Sequence, residues 1–375
     1  MNKCKFLIFV SLVFTAFLSS AQEKNEILWQ DPSKQGSSVV HNQLWNGNIL
    51  QSFYDRLPNV AEASTREEVW SLSRNAAGLK LVFRTGAEEI FVRYTTTKSK
   101  ANYAMSHFPA TGVSGVDLFA ENSDGTWAWA NGKYQFNDTI TYTFSGLKLD
   151  KEKYKDGRIF HLYLPLYNSI KWLEIGVRVG NTIEFIPVSA EEKPIVVYGT
   201  SIAQGGCASR PGMAWTNILN RTLKIPVVNL GFSGNGRLEK EVVDLFAEKD
   251  AQMFILDCLP NLGGEVQNVK SKITDAVNTI RRKHSNVPII LVDQAHYIEG
   301  KLNSAGIANT LNINQLSYEA YEELKSKGVK QLYYLKHGDI GLDMNDSVDG
   351  SHPTDIGMLK YANAYEKLIR TILKQ

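Results

Sequence analysis

Apolar and polar residues alternate along the first half of the chain in short runs that are rich in aromatic and β-branched side chains. Period-two alternation broken by Gly, Asn and Asp predicts antiparallel strands. The turns at residues 122–125 and 131–132 carry residues that tolerate positive φ. The pattern predicts an antiparallel β-sandwich of jelly-roll type. Its predicted strands are 69–73, 79–84, 90–96, 116–120, 127–129, 139–144, 158–166, 173–178 and 183–188.

Near residue 191 the pattern changes to apolar runs that alternate with helix-length segments. The predicted strands are 195–198, 227–230, 253–257, 289–292 and 331–335. The predicted helices are 212–223, 238–249, 265–283, 305–327 and 355–373. Such alternation is typical of an α/β fold, here a doubly wound, flavodoxin-like domain with a five-stranded parallel sheet. We predict a β-sandwich domain over 22–190 and the α/β domain over 191–375, with ligands beyond the carboxyl ends of its strands.

The amino terminus has the pattern of a secretory signal peptide. Lys3 and Lys5 precede an apolar run over 6–18, and small residues follow up to Ala21. A membrane anchor is the alternative, but it needs about 20 apolar residues to cross the hydrocarbon core. We predict cleavage after Ala21, a secreted or periplasmic protein, and no stable membrane insertion afterwards.

Composition narrows the partners of the mature protein. The chain has 375 residues with 41 Lys+Arg against 39 Asp+Glu, a formal charge of +2. This balance leaves no surplus of positive charge for a nucleic-acid backbone, so we expect no nucleic-acid partner. Small molecules or polysaccharides are the expected partners.

Cysteine use excludes a disulfide scaffold. Cys4 leaves with the signal peptide, and Cys207 and Cys258 remain. Whether these two form a bridge or stay free is open at this stage, because sequence does not determine connectivity. No CxxC or HExxH motif occurs, so we predict neither a metal site nor a cofactor.

Ser201 follows the first strand of the predicted α/β domain, with Gly199 before it and Gly205 and Gly206 after it. Glycines at a strand-to-helix turn let the backbone turn sharply and present the hydroxyl to solvent. A helix N-cap serine is the alternative. The serine becomes a candidate nucleophile because two other strand ends carry matching chemistry.

The second and third strand ends supply candidate proton donors. Gly234 follows the second strand, and Asn261 follows the third. Because these strands are neighbours in the sequence of βα units, the amides of Ser201 and Gly234 and the side chain of Asn261 are predicted to form an oxyanion hole.

A serine nucleophile needs a base, because its hydroxyl is not ionised at neutral pH. The chain has seven histidines: His41, His107, His161, His284, His296, His337 and His352. His352 lies in a turn-rich loop before the last predicted helix, three residues after Asp349. One loop can therefore supply the base and the carboxylate that orients it.

Two further residues are predicted to contact substrate. His296 follows the fourth strand at the same edge of the sheet. Arg210 lies just past the nucleophile turn, where its planar guanidinium can meet a carboxylate or hydroxyl of an acidic glycan; a surface role is the alternative. For His41, His107 and His161 the sequence indicates ordinary surface or packing roles.

The four segments together resemble the SGNH hydrolases, also called GDSL-like lipases or acylhydrolases. The matching blocks are Gly199-Thr-Ser201, Ser233-Gly234, Pro260-Asn261 and Asp349-Gly-Ser-His352-Pro353. The departures are Thr200 where the family often has Asp, and Pro260-Asn261 in place of Gly-x-Asn-Asp. The resemblance implies a Ser-His-Asp triad, an oxyanion hole and no cofactor.

The chain is also similar to a bacterial subgroup whose hydrolase domain follows a β module named for a Gly-x-Asp-Leu-Tyr motif. Here the motif is Gly115-Val-Asp117-Leu-Phe119, with Phe in place of Tyr. The subgroup implies esterases of glycan use, often deacetylases, so the expected function is a secreted serine esterase acting on carbohydrate acyl esters. Two alternatives stay open: an inactive glycan-binding protein, and an esterase acting on methyl-uronate or lipid esters.

Overall fold

The computed structural model describes residues 26–35, 38–148, 150, 152–295 and 302–374. The predicted signal peptide and His296 lie outside these described residues. Among the helices of the described ranges, none is both long enough and apolar enough to cross a lipid bilayer.

Antiparallel strands form two sheets in the first half of the chain. One sheet has the order β1-β10-β4-β8-β7, and the other has the order β11-β3-β9-β5-β6, with β2 also paired to β3. The strands are β1 (Ile27–Gln30), β2 (Val40–His41), β3 (Lys80–Thr85), β4 (Glu89–Thr96), β5 (Asp117–Glu121), β6 (Trp127–Ala130), β7 (Gly132–Phe136), β8 (Ile140–Ser145), β9 (Arg158–Tyr163), β10 (Ile170–Arg178) and β11 (Glu184–Phe185).

The two sheets pack face to face, which confirms the predicted sandwich. Their inward side chains, such as Val92 and Phe144 from one sheet and Phe83 and Leu162 from the other, form a single apolar cluster. The alternation predicted these strands because every second side chain of a half-buried strand faces the core.

Three short helices lie between these strands: α1 (Ala61–Ser64), α2 (Glu67–Ser73) and α3 (Ala110–Val113). The prediction of a strand over 69–73 was wrong, because this segment belongs to α2. Its acidic first turn favours a helix, and Val69 and Ser73, four residues apart, are its buried side chains. The predicted turn at Gly125 has φ +80°, whereas Gly132 begins β7 in extended backbone.

The second half of the chain has the predicted parallel sheet. Its order is β13-β12-β14-β15-β16, the flavodoxin-like arrangement. The strands are β12 (Ile195–Gly199), β13 (Val227–Gly231), β14 (Met253–Asp257), β15 (Ile289–Val292) and β16 (Leu332–Leu335). Every residue of β12, β13 and β14 is buried, as expected for strands that are covered on both faces.

Helices cover both faces of this sheet. They are α4 (Ser201–Gln204), α5 (Trp215–Leu223), α6 (Lys240–Ala247), α7 (Val269–Lys283), α8 (Ser304–Ser326), α9 (His337–Ile340) and α10 (Asp355–Leu373). Helices α6, α7 and α8 pack on one face and α5 and α10 on the other, in two separate apolar clusters.

The two remaining cysteines are free thiols. Cys258 belongs to the apolar cluster on one face of the parallel sheet, and Cys207 belongs to the cluster on the opposite face. The sheet therefore separates them, and the bridge considered from the sequence is not present.

The two halves of the chain share their apolar clusters. Leu57 and Val69 from the first half pack in the same cluster as α6 and α7. Phe108 and Tyr167 pack in the cluster on the other face. The domain boundary at 190/191 stays a prediction, although the antiparallel and parallel strands lie on either side of it.

Candidate active site

Ser201 is the first residue of α4, directly after the carboxyl end of β12. Thr200, where the family resemblance expects Asp, is the N-cap, and its hydroxyl accepts a hydrogen bond from the amide of Ile202 at 3.4 Å. The Ser201 residue is only 8% exposed. The residue is therefore largely shielded from solvent at the carboxyl edge of the parallel sheet.

The structure brings Ser201, His352 and Asp349 into one hydrogen-bonded chain. The Nε2 atom of His352 lies 2.9 Å from Oγ of Ser201, and Nδ1 lies 2.8 Å from Oδ2 of Asp349. Because a carboxylate only accepts hydrogen bonds, Nδ1 carries the proton and Nε2 is left with a lone pair. The imidazole is thus oriented to accept the serine proton.

Asp349 also holds the loop that carries His352. Its Oδ1 accepts the backbone N–H of Ser351 at 3.0 Å and that of His352 at 2.7 Å. Partial burial raises the pKa of this carboxyl, but the hydrogen bonds from His352 and Ser351 outweigh it and hold the pKa below its ordinary value. The carboxylate is therefore ionised and fixed in place.

The strand order places the predicted oxyanion donors on both sides of Ser201. β12 lies between β13, which leads to Gly234, and β14, which leads to Asn261. Within the described residues, the amides of Ser201 and Gly234 and Nδ2 of Asn261 donate to no protein group. These donors are therefore free to bind a negatively charged oxygen.

Glycines shape the loop after β13. Gly234 has φ +71°, a conformation that favours glycine. A Cβ on Gly236 would lie 1.9 Å from the carbonyl oxygen of Gly199, so only glycine allows this close approach. The amide of Gly236 donates to Oδ1 of Asn261 at 3.2 Å, which orients the side-chain amide and leaves Nδ2 unpaired.

Residues from the first half of the chain support the nucleophile. The buried hydroxyl of Tyr167 donates to the carbonyl oxygen of Ser201 at 3.1 Å. Gln204 donates to Asn75 at 3.2 Å and accepts the amide of Ser233, next to Gly234, at 2.9 Å. No motif in the sequence pointed to Tyr167 or Asn75, because their contacts exist only across the junction of the two halves.

His107 is a further residue whose position the sequence did not indicate. Its ring centroid lies 5.6 Å from that of His352, so a loop of the β-sandwich half borders the site. His107, His352 and Cys207 are also a possible metal-ligating group, with their ligand atoms within 4.8 Å of one another. The donor set fits a resident metal poorly, because burial raises the pKa of the Cys207 thiol to about 12 and both ring nitrogens of His352 are already engaged.

Arg210 is engaged by the β-sandwich half. Its Nη1 donates to Oδ2 of buried Asp117 at 2.5 Å, and the same oxygen accepts the amide of Gly212 at 3.0 Å. The Asp of the Gly-x-Asp-Leu-Tyr-like motif thus binds the segment that follows the nucleophile. Substrate contact by Arg210 stays a prediction.

Two family models match this chain in adjacent segments. The GDSL-like lipase/acylhydrolase family matches residues 192–370. A second model, which describes the N-terminus of SGNH-hydrolase-type esterases, matches residues 27–183. A search of curated protein sequences finds no match.

Solved structures share the arrangement of both halves. A Bacteroides ovatus protein described as a candidate GDSL-like lipase is 31% identical with a TM-score of 0.83, over 93% of this chain and 98% of that one. The salicylyl-acyltransferase SsfX3 of a tetracycline biosynthetic pathway is 17% identical with a TM-score of 0.72, over 92% and 97%. The acetyl xylan esterase Est2A from the rumen bacterium Butyrivibrio proteoclasticus is 11% identical with a TM-score of 0.52, over 93% and 99%. The last two likenesses concern the fold alone.

Proposed function

Because this chain belongs to the GDSL-like lipase/acylhydrolase family and is an esterase or acylhydrolase of the SGNH type, we propose that it is an exported serine esterase that removes acetyl groups from carbohydrates. The observation that carries the proposal is the continuous hydrogen-bonded chain from Ser201 through His352 to Asp349, at 2.9 and 2.8 Å. These are the distances at which a base takes a proton from a nucleophile.

Acylation follows from this geometry. Nε2 of His352 takes the proton of Ser201 as Oγ attacks the ester carbonyl carbon, and Asp349 stabilises the imidazolium. The negative charge on the former carbonyl oxygen is held by the amides of Ser201 and Gly234 and by Nδ2 of Asn261. When the tetrahedral intermediate collapses, the carbon–oxygen bond to the sugar breaks, and the sugar oxygen receives the proton from His352.

Deacylation repeats the same steps with water. His352 takes a proton from a water molecule, the hydroxide attacks the acyl carbon, and Ser201 leaves and recovers its proton. The products are a carboxylic acid and the free enzyme. Each proton returns to its starting position, so the residues of the site suffice for a full cycle.

Two observations support a carbohydrate ester as the substrate. The β-sandwich half carries the Gly-x-Asp-Leu-Tyr-like motif of a subgroup that is associated with glycan use, and it borders the site through His107. Among proteins with this fold is an acetyl xylan esterase. Acetyl is the acyl group we propose, and export is proposed from the amino-terminal sequence.

The catalytic assignment is tested with the Ser201→Ala variant on 4-nitrophenyl acetate. We expect wild-type protein to release nitrophenolate and the variant to fall to the uncatalysed rate, with an unchanged thermal unfolding midpoint. Near-normal turnover by the folded variant would refute the role of Ser201.

The substrate class is tested by product analysis on a panel of acetylated xylan, acetylated glucomannan, methylated pectin and a long-chain glyceride. We expect release of acetate from an acetylated polysaccharide. Methanol from pectin, or fatty acid from the glyceride, without acetate would instead establish the alternative esterases. Polysaccharide binding with no turnover of any ester would establish the binding protein.

Export is tested by expressing the full chain in a bacterial host and sequencing the amino terminus of the protein outside the cytoplasm. We expect a mature protein that begins at Gln22. A full-length protein retained in the cell membrane would instead establish the anchor.

A further inference from the structure

A cavity of about 250 Å³ lies between the edge of the β-sandwich and the segment that follows the nucleophile. Four aromatic side chains line it, Trp129, Tyr134, Tyr142 and Phe144. Ser209 and Arg210 line it from the α/β half. The cavity therefore combines residues of both halves. It is separate from the hydrogen-bonded chain of Ser201.

Trp129 is exposed and held in one orientation at the same time. Trp129 is 49% exposed, a high value for such a large apolar side chain. The indole Nε1–H donates to Oδ1 of Asp117 at 2.6 Å, and the guanidinium carbon of Arg210 lies 4.4 Å from the ring centroid. An aromatic ring that is fixed before a ligand arrives loses little conformational entropy on binding.

The rest of the lining is suited to a polar ligand. Tyr134 on β7 is 51% exposed and adds a second aromatic surface. Thr111 and Asn131 bring polar side chains to the lining of the cavity. Such polar groups can form hydrogen bonds with the hydroxyls of a ligand, which an acyl chain lacks.

The charge of the lining favours a neutral ligand. The charged side chains that line the cavity are Asp117 and Arg210, and they neutralise each other in an ion pair at 2.5 Å. A carboxylate ligand would have to compete with Asp117 for the guanidinium. An uncharged sugar ring instead presents apolar C–H faces to Trp129 and hydroxyls to the polar groups.

Two short backbone segments connect the lining of the cavity to residues beside the catalytic chain. Thr111 and Ser209 line it, and the hydroxyl of Thr111 donates to the carbonyl of Ser209 at 2.6 Å. Four residues before Thr111 is His107, beside His352. Cys207, whose Sγ lies within 4.8 Å of a ring nitrogen of His352, is two residues before Ser209. The Cα atoms of Cys207 and Ser209 are therefore at most about 8 Å apart. The two segments that line the cavity thus also border the site.

We propose that this cavity, lined by Trp129 and Tyr134, is a binding subsite for a neutral sugar ring of the same glycan that carries the ester. The proposal rests on the proposed function and adds the recognition element to it. A polymer held at the subsite keeps its esterified residue close to Ser201, which lowers KM for polysaccharides. A small ester gains nothing from it, because it does not reach the cavity.

The first experiment compares Trp129→Ala with wild type on acetylated xylan, acetylated glucomannan and 4-nitrophenyl acetate. Losing one stacking surface should lower kcat/KM on the better polysaccharide by about tenfold. Turnover of 4-nitrophenyl acetate should stay within about twofold. Tyr134→Ala should lower the polysaccharide value by a smaller factor, and Trp129→Phe, which keeps an aromatic ring, should retain most of it.

The matched control is Trp172→Ala. Trp172 is also an exposed tryptophan of the β-sandwich, 37% exposed on β10, but it does not line the cavity. The activities of this variant on the polysaccharide and on 4-nitrophenyl acetate should equal those of wild type. Equal polysaccharide kinetics for the Trp129 and Trp172 variants would overturn the subsite, as would equal losses by Trp129→Ala on the small ester and the polymer. If Trp129→Ala does not fold, Tyr134→Ala decides by the same criteria.

A binding experiment separates failure of the subsite from failure of the proposed function. The full-length Ser201→Ala protein is run on native gels that contain xylan or glucomannan. Retardation that is lost with Trp129→Ala and kept with Trp172→Ala supports the subsite even if wild type cleaves no ester. Ester cleavage by wild type without retardation in either gel would overturn the subsite and leave the esterase standing.

Discussion

The two halves of this protein contribute to the site in different ways. The α/β half supplies every proposed catalytic group, each on a short segment at the end of a strand or before the last helix. The β-sandwich half supplies buried polar contacts, such as the hydroxyl of Tyr167 on the carbonyl of Ser201. The comparison teaches that chemistry is carried by local motifs, whereas its positioning is carried by contacts between distant segments.

Arg56 illustrates the second kind of contribution. Its buried guanidinium donates to the carbonyl of Asn75 at 2.7 Å and, across the junction, to the carbonyls of Asn229 and Gly231 at 3.0 and 2.8 Å. Burial lowers its pKa to about 9. The side chain thus ties the β-sandwich half to the strand that precedes Gly234.

Asp349→Asn in the α/β half should have the largest effect, and it tests whether this half supplies the catalytic groups. The Asn oxygen can keep the backbone contacts, but its NH₂ group then faces Nδ1 and favours the wrong tautomer of His352. We expect kcat on 4-nitrophenyl acetate to fall by about 10⁴. Asp343→Asn, an exposed carboxylate near the same loop that pairs with Lys360, should change kcat by less than about twofold. An Asp349 variant with wild-type kcat would remove this residue from the site.

Asn261→Ala should have the next largest effect. It removes the Nδ2 donor that binds the developing oxyanion, so kcat should fall by about 10²–10³ with little change in KM. Asn261→Asp has the same shape but places a carboxylate at the oxyanion, and it should be at least as inactive. Substantial activity in the Asp variant would contradict the proposed oxyanion hole.

Lys80 lies at the junction of the two halves, and we predict that it makes the stability of the protein depend on pH. Its Nζ donates to Oδ1 of Asn220 at 2.7 Å, and burial, with the charge of Arg221, lowers its pKa to about 7. Between about pH 7 and pH 10 the unfolded chain binds this proton and the native chain does not. The free energy of unfolding should therefore rise with pH there, by about 1.4 kcal/mol per unit for this group.

Denaturant unfolding at several pH values measures this rise. Lys80→Met should remove the slope, whereas Lys171→Met, at an exposed position of β10, should keep it. Equal slopes in the Lys80 variant and wild type would show that this lysine stays charged in the native protein.

The smallest effect is expected from Tyr167→Phe. It removes one neutral hydrogen bond, worth about 1 kcal/mol, to the backbone of the nucleophile. We expect kcat to fall by about two- to tenfold with KM unchanged. The same substitution at Tyr134, on the surface, should leave turnover of 4-nitrophenyl acetate unchanged. A fall in kcat for Tyr167→Phe as large as that for Asn261→Ala would contradict the division into catalytic groups and positioning contacts.

The sequence predictions were more accurate for the strands of the α/β half than for the elements of the β-sandwich half. The five parallel strands were predicted within about one residue at each end, because short apolar runs alternate with helix-length segments along this half of the chain. Helix α2 was predicted as a strand, because its seven residues are too short to show a helical period beside aromatic and apolar neighbours. Strands β1, β2 and β7 were missed, because with four, two and five residues they are too short to show a clear alternation.

By itself, the sequence determined the two kinds of sheet, the segment that carries each proposed catalytic residue, and the family resemblance. Each of these depends on residues that are close along the chain. Only the tertiary structure decided that Tyr167 and His107 border Ser201 and His352, that the parallel sheet separates the two cysteines, and that Trp129 lines a cavity formed by both halves. The physical reason is that these contacts join segments distant along the chain, and their burial and geometry arise only when the two halves pack together.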